Sequence, residues 1–138
     1  MARGTEALAE VDLFSELSQR HLRRLTRSAS EYSYNDGVTV VAEGTRSESF
    51  FVVLDGSATA IRRGRTVGRF DQGDFFGEIA LLDGGPRTAT VVAVGHLHCL
   101  VLPRKEFRDV VTEDPSVGVK ILKGAARRLR EVERSLQT

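Results

Sequence analysis

The chain has 138 residues and nearly balanced charge, with 20 Lys and Arg against 19 Asp and Glu. Apolar residues make up 41% of it and charged residues 28%, an ordinary mixture for a globular protein that is long enough to bury a core. A net charge of +1 gives no reason to expect nonspecific binding to nucleic acid. One cysteine excludes an intramolecular disulfide, and no apolar stretch resembles a membrane span or a signal-peptide core. We therefore expect one soluble domain, residues 1–138, in the cytoplasm.

A helical lead is predicted for residues 11–30, after a polar leader. Apolar residues recur there at intervals of three and four, the spacing of one helix face. Ser18 is the predicted N-cap, because a hydroxyl at that position accepts a hydrogen bond from an N–H group of the first turn. The polar face carries a basic stripe that we interpret as a solvated helix face: Arg20, Arg23, Arg24 and Arg27.

Residues 31–103 change to short β-rich runs separated by turn residues. The runs cover residues 38–44, 49–56, 57–64, 66–70, 88–94 and 96–102. Asn35-Asp36-Gly37, Asp55-Gly56 and Gly64 are the turn signals. Many short strands with no helices between them predict an antiparallel β-roll, jelly-roll-like, rather than a parallel sheet. The expected fold class is therefore mainly β, with N-terminal helices and a long C-terminal helix.

C-terminal helices are predicted over residues 104–136, with a break at Asp114-Pro115. Asp114 is the expected N-cap of the long final helix, and Pro115 its first residue. That helix carries an apolar seam with the three-and-four spacing of heptad positions a and d: Leu122, Ala125, Leu129, Val132 and Leu136. The seam either packs on the roll or forms a homodimer, and the sequence leaves both interpretations open.

The segment 73–91 is long for a connection between two strands, which is typical of a binding loop. Gly77 allows close approach of a ligand to the backbone. Residues 78–82 can form one helical turn whose N–H groups point at an anion. Gly84-Gly85-Pro86 then returns the chain to Arg87, whose planar fork suits phosphate oxygens, and Thr88 adds a hydroxyl at the same place.

Glu78 narrows the chemistry of the expected ligand. A carboxylate near a phosphate is repulsive unless it faces a hydrogen-bond donor, and an ionised carboxylate only accepts. A sugar hydroxyl would satisfy it, so Glu78 and Arg87 together predict a nucleotide-like ligand with one phosphate charge. The alternative is an ion pair between the two in a loop that has lost its ligand. An exposed pair contributes only about 0–1 kcal/mol, a weak reason for so long a loop.

The sequence FGEIALLDGGPRTATV, residues 76–91, resembles the phosphate-binding cassette of the cyclic nucleotide-binding domain family. This family includes regulatory subunits of cyclic nucleotide-dependent kinases, gated channels and bacterial catabolite-activator regulators, and the similarity covers nearly the whole chain. The resemblance implies a β-roll that takes cAMP or cGMP as a regulatory ligand, with no cofactor and no catalysis of its own. It also implies that the final helix closes over the base, with a hinge near residues 113–115 or at Gly118.

The resemblance further implies a set of contacts with the ligand. The expected ribose contacts are Gly77, Glu78 and Ile79, with Glu78 on the 2′-hydroxyl. The expected phosphate contacts are Ala80, Arg87, Thr88 and Ala89, with Arg87 on the cyclic phosphate. The base would lie near Phe70 and Arg128. In this family a hydroxyl after the arginine can assist cGMP, and bacterial cAMP receptors also carry one; on balance we favour cAMP.

Two other functions compete with this prediction. His96-Leu97-His98 resembles the start of a metal site in a cupin-like enzyme, but Glu106 follows too far on and no later histidine exists, so ordinary surface or core histidines are the simpler interpretation. A dimerisation or scaffold domain with an inactive pocket is the third hypothesis. Cys99 is expected to be a small buried hydrophobe. Beyond the nucleotide we expect an effector protein as partner, and neither a DNA-binding module nor a membrane segment.

Overall fold

The computed structural model describes residues 11–46, 49–77 and 85–137, apart from the side chains of residues 128, 131, 132 and 135–137. A 3₁₀ turn, Asp12–Phe14, leads to helix α1, Gln19–Ser28. Six strands follow: β1 Ser30–Tyr34, β2 Thr39–Val41, β3 Ser49–Arg62, β4 Arg65–Phe70, β5 Phe75–Phe76 and β6 Thr90–Pro103. The last elements are helices α2, Arg104–Glu113, and α3, Pro115–Gln137.

All strand pairs among the described residues are antiparallel. The sheet runs β1-β6-β3-β4, while β2 also pairs with β6 and β5 pairs with β3. Helices flank this sheet at both ends of the described chain. The predicted fold class, an antiparallel β-roll with flanking helices, is therefore confirmed.

The prediction of separate short strands is wrong for the two longest strands. β3 joins the runs 49–56 and 57–64, and β6 joins most of 88–94 to 96–102. The turn predicted at Asp55-Gly56 is instead a bulge, since the register between β3 and β6 shifts on both sides of Asp55. Gly56 has a φ of +87°, and a Cβ there would overlap the carbonyl oxygen of His96. A bulge and a turn need the same glycine, so the sequence could not separate them.

Strand β3 divides the core into two apolar clusters. Its residues alternate between the two faces, as strand geometry requires. Phe50 and Val52 face the helices, where they pack with Phe107 of α2 and with Ile121 of α3. Phe51 and Val53 face the inside of the roll. The consecutive apolar run in β3 is thus buried on both sides, which anchors the helices to the roll.

Both predicted helix caps are confirmed. The backbone N–H of His21 donates to Ser18 Oγ at 3.2 Å at the start of α1. At the start of α3, the backbone N–H and the hydroxyl of Ser116 donate to Asp114 Oδ1 at 3.1 and 2.7 Å. Pro115 is the first residue of α3. Asp114 itself is extended, with φ −132° and ψ 101°, so the two C-terminal helices are separate elements.

The seam of α3 does not pack on the roll at its described leucines. Leu122 is 68% exposed and Leu129 is 60% exposed, whereas Val117 and Ile121 form the buried face. Ala125 is half-buried. The exposed apolar residues form a row that we call the apolar stripe: Val119, Leu122, Ala126 and Leu129. The side chains of Val132 and Leu136 lie outside the described residues.

The interpretation of the α1 stripe as a purely solvated face is also wrong for Arg24. Its guanidinium donates to Asp109 Oδ2 at 2.7 Å and to Glu113 Oε2 at 2.9 Å, both on α2. Arg23 and Arg27 are exposed, as expected. The described residues include no helix that is both long and apolar enough to cross a membrane.

Candidate functional site

Arg87 is the buried charged residue where the predicted binding loop returns to the roll. It is only 4% exposed. Its Nη1 donates to the carbonyl oxygen of Gly77 at 3.1 Å, and its Nη2 donates to the carbonyl oxygen of Ser49 at 2.5 Å. Ser49 begins β3, and Gly77 follows β5. The two bonds fix the plane of the guanidinium between these strands.

The backbone of Arg87 is held as firmly as its side chain. Its N–H donates to the carbonyl oxygen of Thr45 at 2.7 Å, and its carbonyl oxygen accepts from the N–H of Gly44 at 2.8 Å. This two-way pairing with the turn after β2 leaves the direction of the side chain little freedom. The guanidinium is therefore aimed inward by local hydrogen bonding on both sides.

An aromatic wall lies beside the guanidinium. The Cζ atom of Arg87 is 5.8 Å from the ring centroid of Phe51, within the range of a cation–π contact. Phe51 stacks on Phe76 with centroids 4.8 Å apart, and Phe70 packs against Phe76 at 5.0 Å. The three rings line the inside of the roll, so they lower the local polarity around the buried cation.

Gly77 is required by the position of Arg87. Its φ is +94°, a backbone conformation that residues with a side chain rarely adopt. A Cβ on Gly77 would overlap Arg87 Nη1 and lie 3.2 Å from the carbonyl oxygen of Ser49. The glycine therefore makes room for the guanidinium as well as for the turn of the backbone.

The structure brings two of the expected ligand contacts together, Gly77 and Arg87. Thr88 is exposed next to Arg87, and Ala89 is half-buried against the roll core. Phe70 is buried, at 6% exposure, within the aromatic wall. Four of the predicted contacts cannot be located, because they lie outside the described residues: Glu78, Ile79, Ala80 and the side chain of Arg128.

The partners of Arg87 were not identified from the sequence. Ser49 acts through its backbone carbonyl, which every residue type possesses, so its identity carries no signal. Phe51 and Phe76 each belong to a pair of adjacent phenylalanines, and only the one that faces the roll interior takes part in the wall. Strand alternation would assign those faces once the register of β3 is known.

A sequence model of the cyclic nucleotide-binding domain matches residues 31–114. The chain belongs to the cyclic nucleotide-binding domain family. The predicted membership is thus confirmed, and the domain is of a regulatory kind whose ligand is a regulator rather than a catalytic cofactor.

Solved structures with the same fold include cAMP-bound PfPKA-R, with 25% identity and a TM-score of 0.84; the match covers 94% of this chain and 45% of that chain. The catabolite activator protein of Thermus thermophilus has 28% identity and a TM-score of 0.74, over 91% of this chain and 61% of that one. A cAMP-independent protein kinase A regulatory subunit from Trypanosoma cruzi, bound to guanosine, has 25% identity and a TM-score of 0.70, over 78% and 38%. This chain thus spans less than two thirds of the length of each of those three chains.

The two histidines of the cupin-like motif, His96 and His98, both lie on β6. His98 Nδ1 lies 2.9 Å from Ser33 Oγ, and its Nε2 lies 2.6 Å from Glu31 Oε1. His96 is exposed. Over residues 11–46, 49–77 and 85–137, no group of three or more His, Cys, Asp or Glu residues is arranged to hold a metal ion. Both ring nitrogens of His98 contact protein groups, so its geometry gives no support to the cupin-like alternative.

Proposed function

We propose that the chain binds a cyclic nucleotide, cAMP in preference to cGMP, and acts as a ligand-gated regulatory module without catalysis. The observation that carries the proposal is the buried Arg87 guanidinium, held in one plane by two backbone carbonyls beside Phe51. A guanidinium with a fixed orientation suits the oxygens of a cyclic phosphate. Because the side chain is already ordered, binding does not have to pay the cost of ordering it.

The proposed ligand contacts extend from Arg87 along the cassette. Thr88 and Ala89 follow Arg87 directly, and with the backbone near Ala80 they would complete the phosphate contacts. Glu78 would hold the ribose 2′-hydroxyl, with Gly77 and Ile79 beside the sugar. We propose Arg128 as the contact to the base. Phe70 is buried, so it would act through the aromatic wall rather than by stacking at the surface.

We propose that α3 moves when the nucleotide binds, about a hinge at Asp114. Support comes from the extended backbone of Asp114 between two helices. Ligand contacts made only with the closed position of α3 would shift the equilibrium toward it. The alternative hinge, Gly118, lies inside α3, where a glycine costs about 1 kcal/mol of helix stability relative to alanine.

Calorimetric titration with cAMP, cGMP, 5′-AMP and guanosine tests the proposal. We expect cAMP to bind more tightly than cGMP, and both more tightly than the two ligands that lack a cyclic phosphate. Arg87→Ala should weaken cAMP binding by about 2–4 kcal/mol, or about thirtyfold to thousandfold, since it removes a charge-assisted contact. Glu78→Gln should also weaken cAMP binding, but only through the loss of the ribose contact.

Two controls separate ligand binding from folding. Arg23→Ala removes an exposed arginine of α1 and should leave cAMP affinity unchanged. Arg87→Lys keeps the charge but cannot reach both carbonyls as a fork, so it should fall between wild type and Arg87→Ala. Thermal unfolding shows whether each variant is folded. A folded Arg87→Ala variant with unchanged cAMP affinity would contradict the proposal.

The scaffold hypothesis is the second candidate, because the apolar stripe of α3 is exposed. We propose that the stripe pairs with that of a second copy, since Val119, Leu122, Ala126 and Leu129 have the spacing of heptad positions. This pairing is compatible with nucleotide binding. A ligand at 100 times its dissociation constant adds about 2.7 kcal/mol of stability, so a thermal-shift scan with no response to any nucleotide would favour a scaffold alone.

We further propose that residues 1–138 form one domain located in the cytoplasm and signal to an effector protein. The family model covers only residues 31–114. Helix α3 nevertheless packs against the roll and the N-terminal turn. Lys120 Nζ donates to the carbonyl oxygen of Asp12 at 2.5 Å and to Ser15 Oγ at 2.8 Å. These contacts support a unit larger than the matched residues.

A further inference from the structure

His21 is a buried histidine that the proposed nucleotide site does not use. It lies on α1, with 8% of its side chain exposed, and faces the junction between α2 and α3. Its Nε2 lies 3.3 Å from Glu113 Oε1, and its Nδ1 lies 3.5 Å from Asp114 Oδ2. Nδ1 is buried and makes no hydrogen bond to any described residue. The imidazole therefore lies between two carboxylates at the place where α3 begins.

Other charged groups surround the same junction. Arg20 Nη2 lies 3.4 Å from His21 Nε2 and 3.3 Å from Glu113 Oε1. Arg24 donates to Glu113 and to Asp109. Strand β6 also packs near α1, but it contains no Asp, Glu, Lys or Arg, and its His98 contacts Glu31 and Ser33. The carboxylates thus face His21 from α2 and the junction, and the arginines face it from its own helix.

The two protonation states of His21 make different bonds. A neutral imidazole has one N–H donor, so it can donate to only one of the two carboxylates. Which carboxylate receives the bond depends on which ring nitrogen carries the proton, since Nε2 faces Glu113 and Nδ1 faces Asp114. A protonated imidazole has two N–H donors, one for Glu113 and one for Asp114. The charged form therefore contacts both residues that connect α2 to α3, and a small closure of the 3.5 Å separation completes the second bond.

We propose that His21 is a proton-operated clasp that fastens the start of α3 to α1. The clasp is closed when the imidazole is protonated and Glu113 and Asp114 are ionised, and it loosens when the imidazole loses its proton. The proposal does not depend on nucleotide binding, because none of these residues belongs to the cassette. The chain would thus respond to pH at the start of α3. This is the helix whose position would control the access of the nucleotide to its site.

The carboxylates remain charged over the range in which histidine titrates. The hydrogen bonds from His21 and Arg24 lower the pKa of Glu113. The hydrogen bond from Ser116 lowers the pKa of Asp114, with a smaller contribution from the charge of His21. Protonated His21 therefore meets two ionised carboxylates, and this stabilisation is lost as pH rises and the imidazole gives up its proton.

Urea unfolding of the full chain at about pH 5.5 and at about pH 8 tests the clasp, with His21→Gln as the variant and His96→Gln as the matched control. We expect the ratio of unfolding constants between the two pH values to change by about two- to fivefold in His21→Gln relative to wild type. The His96→Gln control changes an exposed ring and should keep the wild-type ratio. Identical ratios in wild type and His21→Gln would overturn the proposal.

Two further measurements apply if His21→Gln fails to fold. Asp114→Asn keeps a side-chain oxygen that can cap α3 but removes one charge, so it should reduce the pH ratio while α3 stays formed. Amide exchange at residues 113–118, corrected for the intrinsic effect of pH, should be slower in wild type at the lower pH. The clasp would also be overturned if the amides of residues 113–118 were equally protected at both pH values and Asp114→Asn kept the wild-type ratio of unfolding constants.

Discussion

Gly77 and Arg87 constrain each other through space, although ten positions separate them in the chain. The guanidinium fills the volume that a side chain on Gly77 would need, and it bonds to the carbonyl of the same residue. A change at either position therefore affects both the backbone at residue 77 and the direction of the guanidinium. This coupling separates the site from an ordinary surface arginine, whose side chain would choose among many rotamers.

Gly77→Ala should destabilise the fold by about 1–3 kcal/mol and weaken cAMP binding, because it adds strain at positive φ and displaces the guanidinium. Urea unfolding and calorimetry measure the two effects. Gly64→Ala is the matched control: Gly64 has a similar φ of +78°, but a Cβ there meets no atom within 4 Å. Equal losses of cAMP affinity in the two variants would mean that strain alone, not displacement of Arg87, explains the result.

The thiol of Cys99 is expected to be unreactive in the folded protein. It is fully buried in the roll, and burial raises the pKa of its thiol to about 12. Since only the thiolate is nucleophilic, the folded protein should not react with iodoacetamide at about pH 8, whereas the urea-unfolded chain should react fully. Mass spectrometry after timed labelling checks this. Rapid alkylation without unfolding would contradict the burial of Cys99.

At the scale of elements, α3 is held against the roll by shape as well as by apolar area. Gly124 faces Phe75 so closely that a Cβ on Gly124 would lie 2.5 Å from Cζ of the ring. Phe75 in turn packs against Phe50, which stacks on Phe107 of α2 at 4.0 Å. The ring is therefore supported from behind and cannot retreat freely.

The two glycines of α3 should respond to alanine with opposite signs. Gly124→Ala should destabilise the protein by about 1–3 kcal/mol, because the added methyl overpacks the contact with Phe75. Gly118→Ala should stabilise it by about 1 kcal/mol, since its Cβ would lie 3.7 Å from Val111 and alanine favours the helix. Urea unfolding measures both. Stabilisation by Gly124→Ala would show that α3 does not approach Phe75 this closely.

The length of the strands was the main error in the predicted elements. Asp55-Gly56 has the composition of a turn, and a local prediction divides the chain there. The pairing of β3 with β6 continues on both sides of that point, and the glycine absorbs the irregularity as a bulge. Strand continuity depends on a partner strand more than thirty residues away, which no local pattern specifies.

At the scale of the whole molecule, the apolar stripe of α3 remains exposed although α3 packs well on its other face. Val117 and Ile121 are buried, while Leu122 and Leu129 are among the most exposed large apolar side chains described. Single exposed apolar residues are common, but this row has heptad spacing. The proposed pairing with a second copy would cover it.

The double variant Leu122→Lys, Leu129→Lys should shift the protein from dimer to monomer, because it places charges in the proposed seam. Sedimentation equilibrium measures the change in mass. Lys123→Gln, an exposed substitution next to the stripe, should leave the mass unchanged. A wild-type protein that is already monomeric at all concentrations would contradict pairing through the stripe.

The sequence by itself determined the features that depend on neighbours along the chain. Ser18 and Asp114 cap their helices through bonds that reach only two or three residues, and Pro115 starts α3 for a local steric reason. The class of fold followed from the succession of short apolar runs and glycines. The cassette pointed to the family through residues contiguous in the chain. These signals are readable because each is complete within a short segment.

Only the tertiary structure decided which distant groups meet. Arg87 donates to the carbonyl oxygen of Ser49, 38 positions away, and His21 contacts the carboxylate of Glu113, 92 positions away. Which face of α3 is covered likewise followed from the fit of Gly124 against Phe75. Such partners depend on strand register and helix docking, because the free energy of each contact exists only after the elements have been brought together.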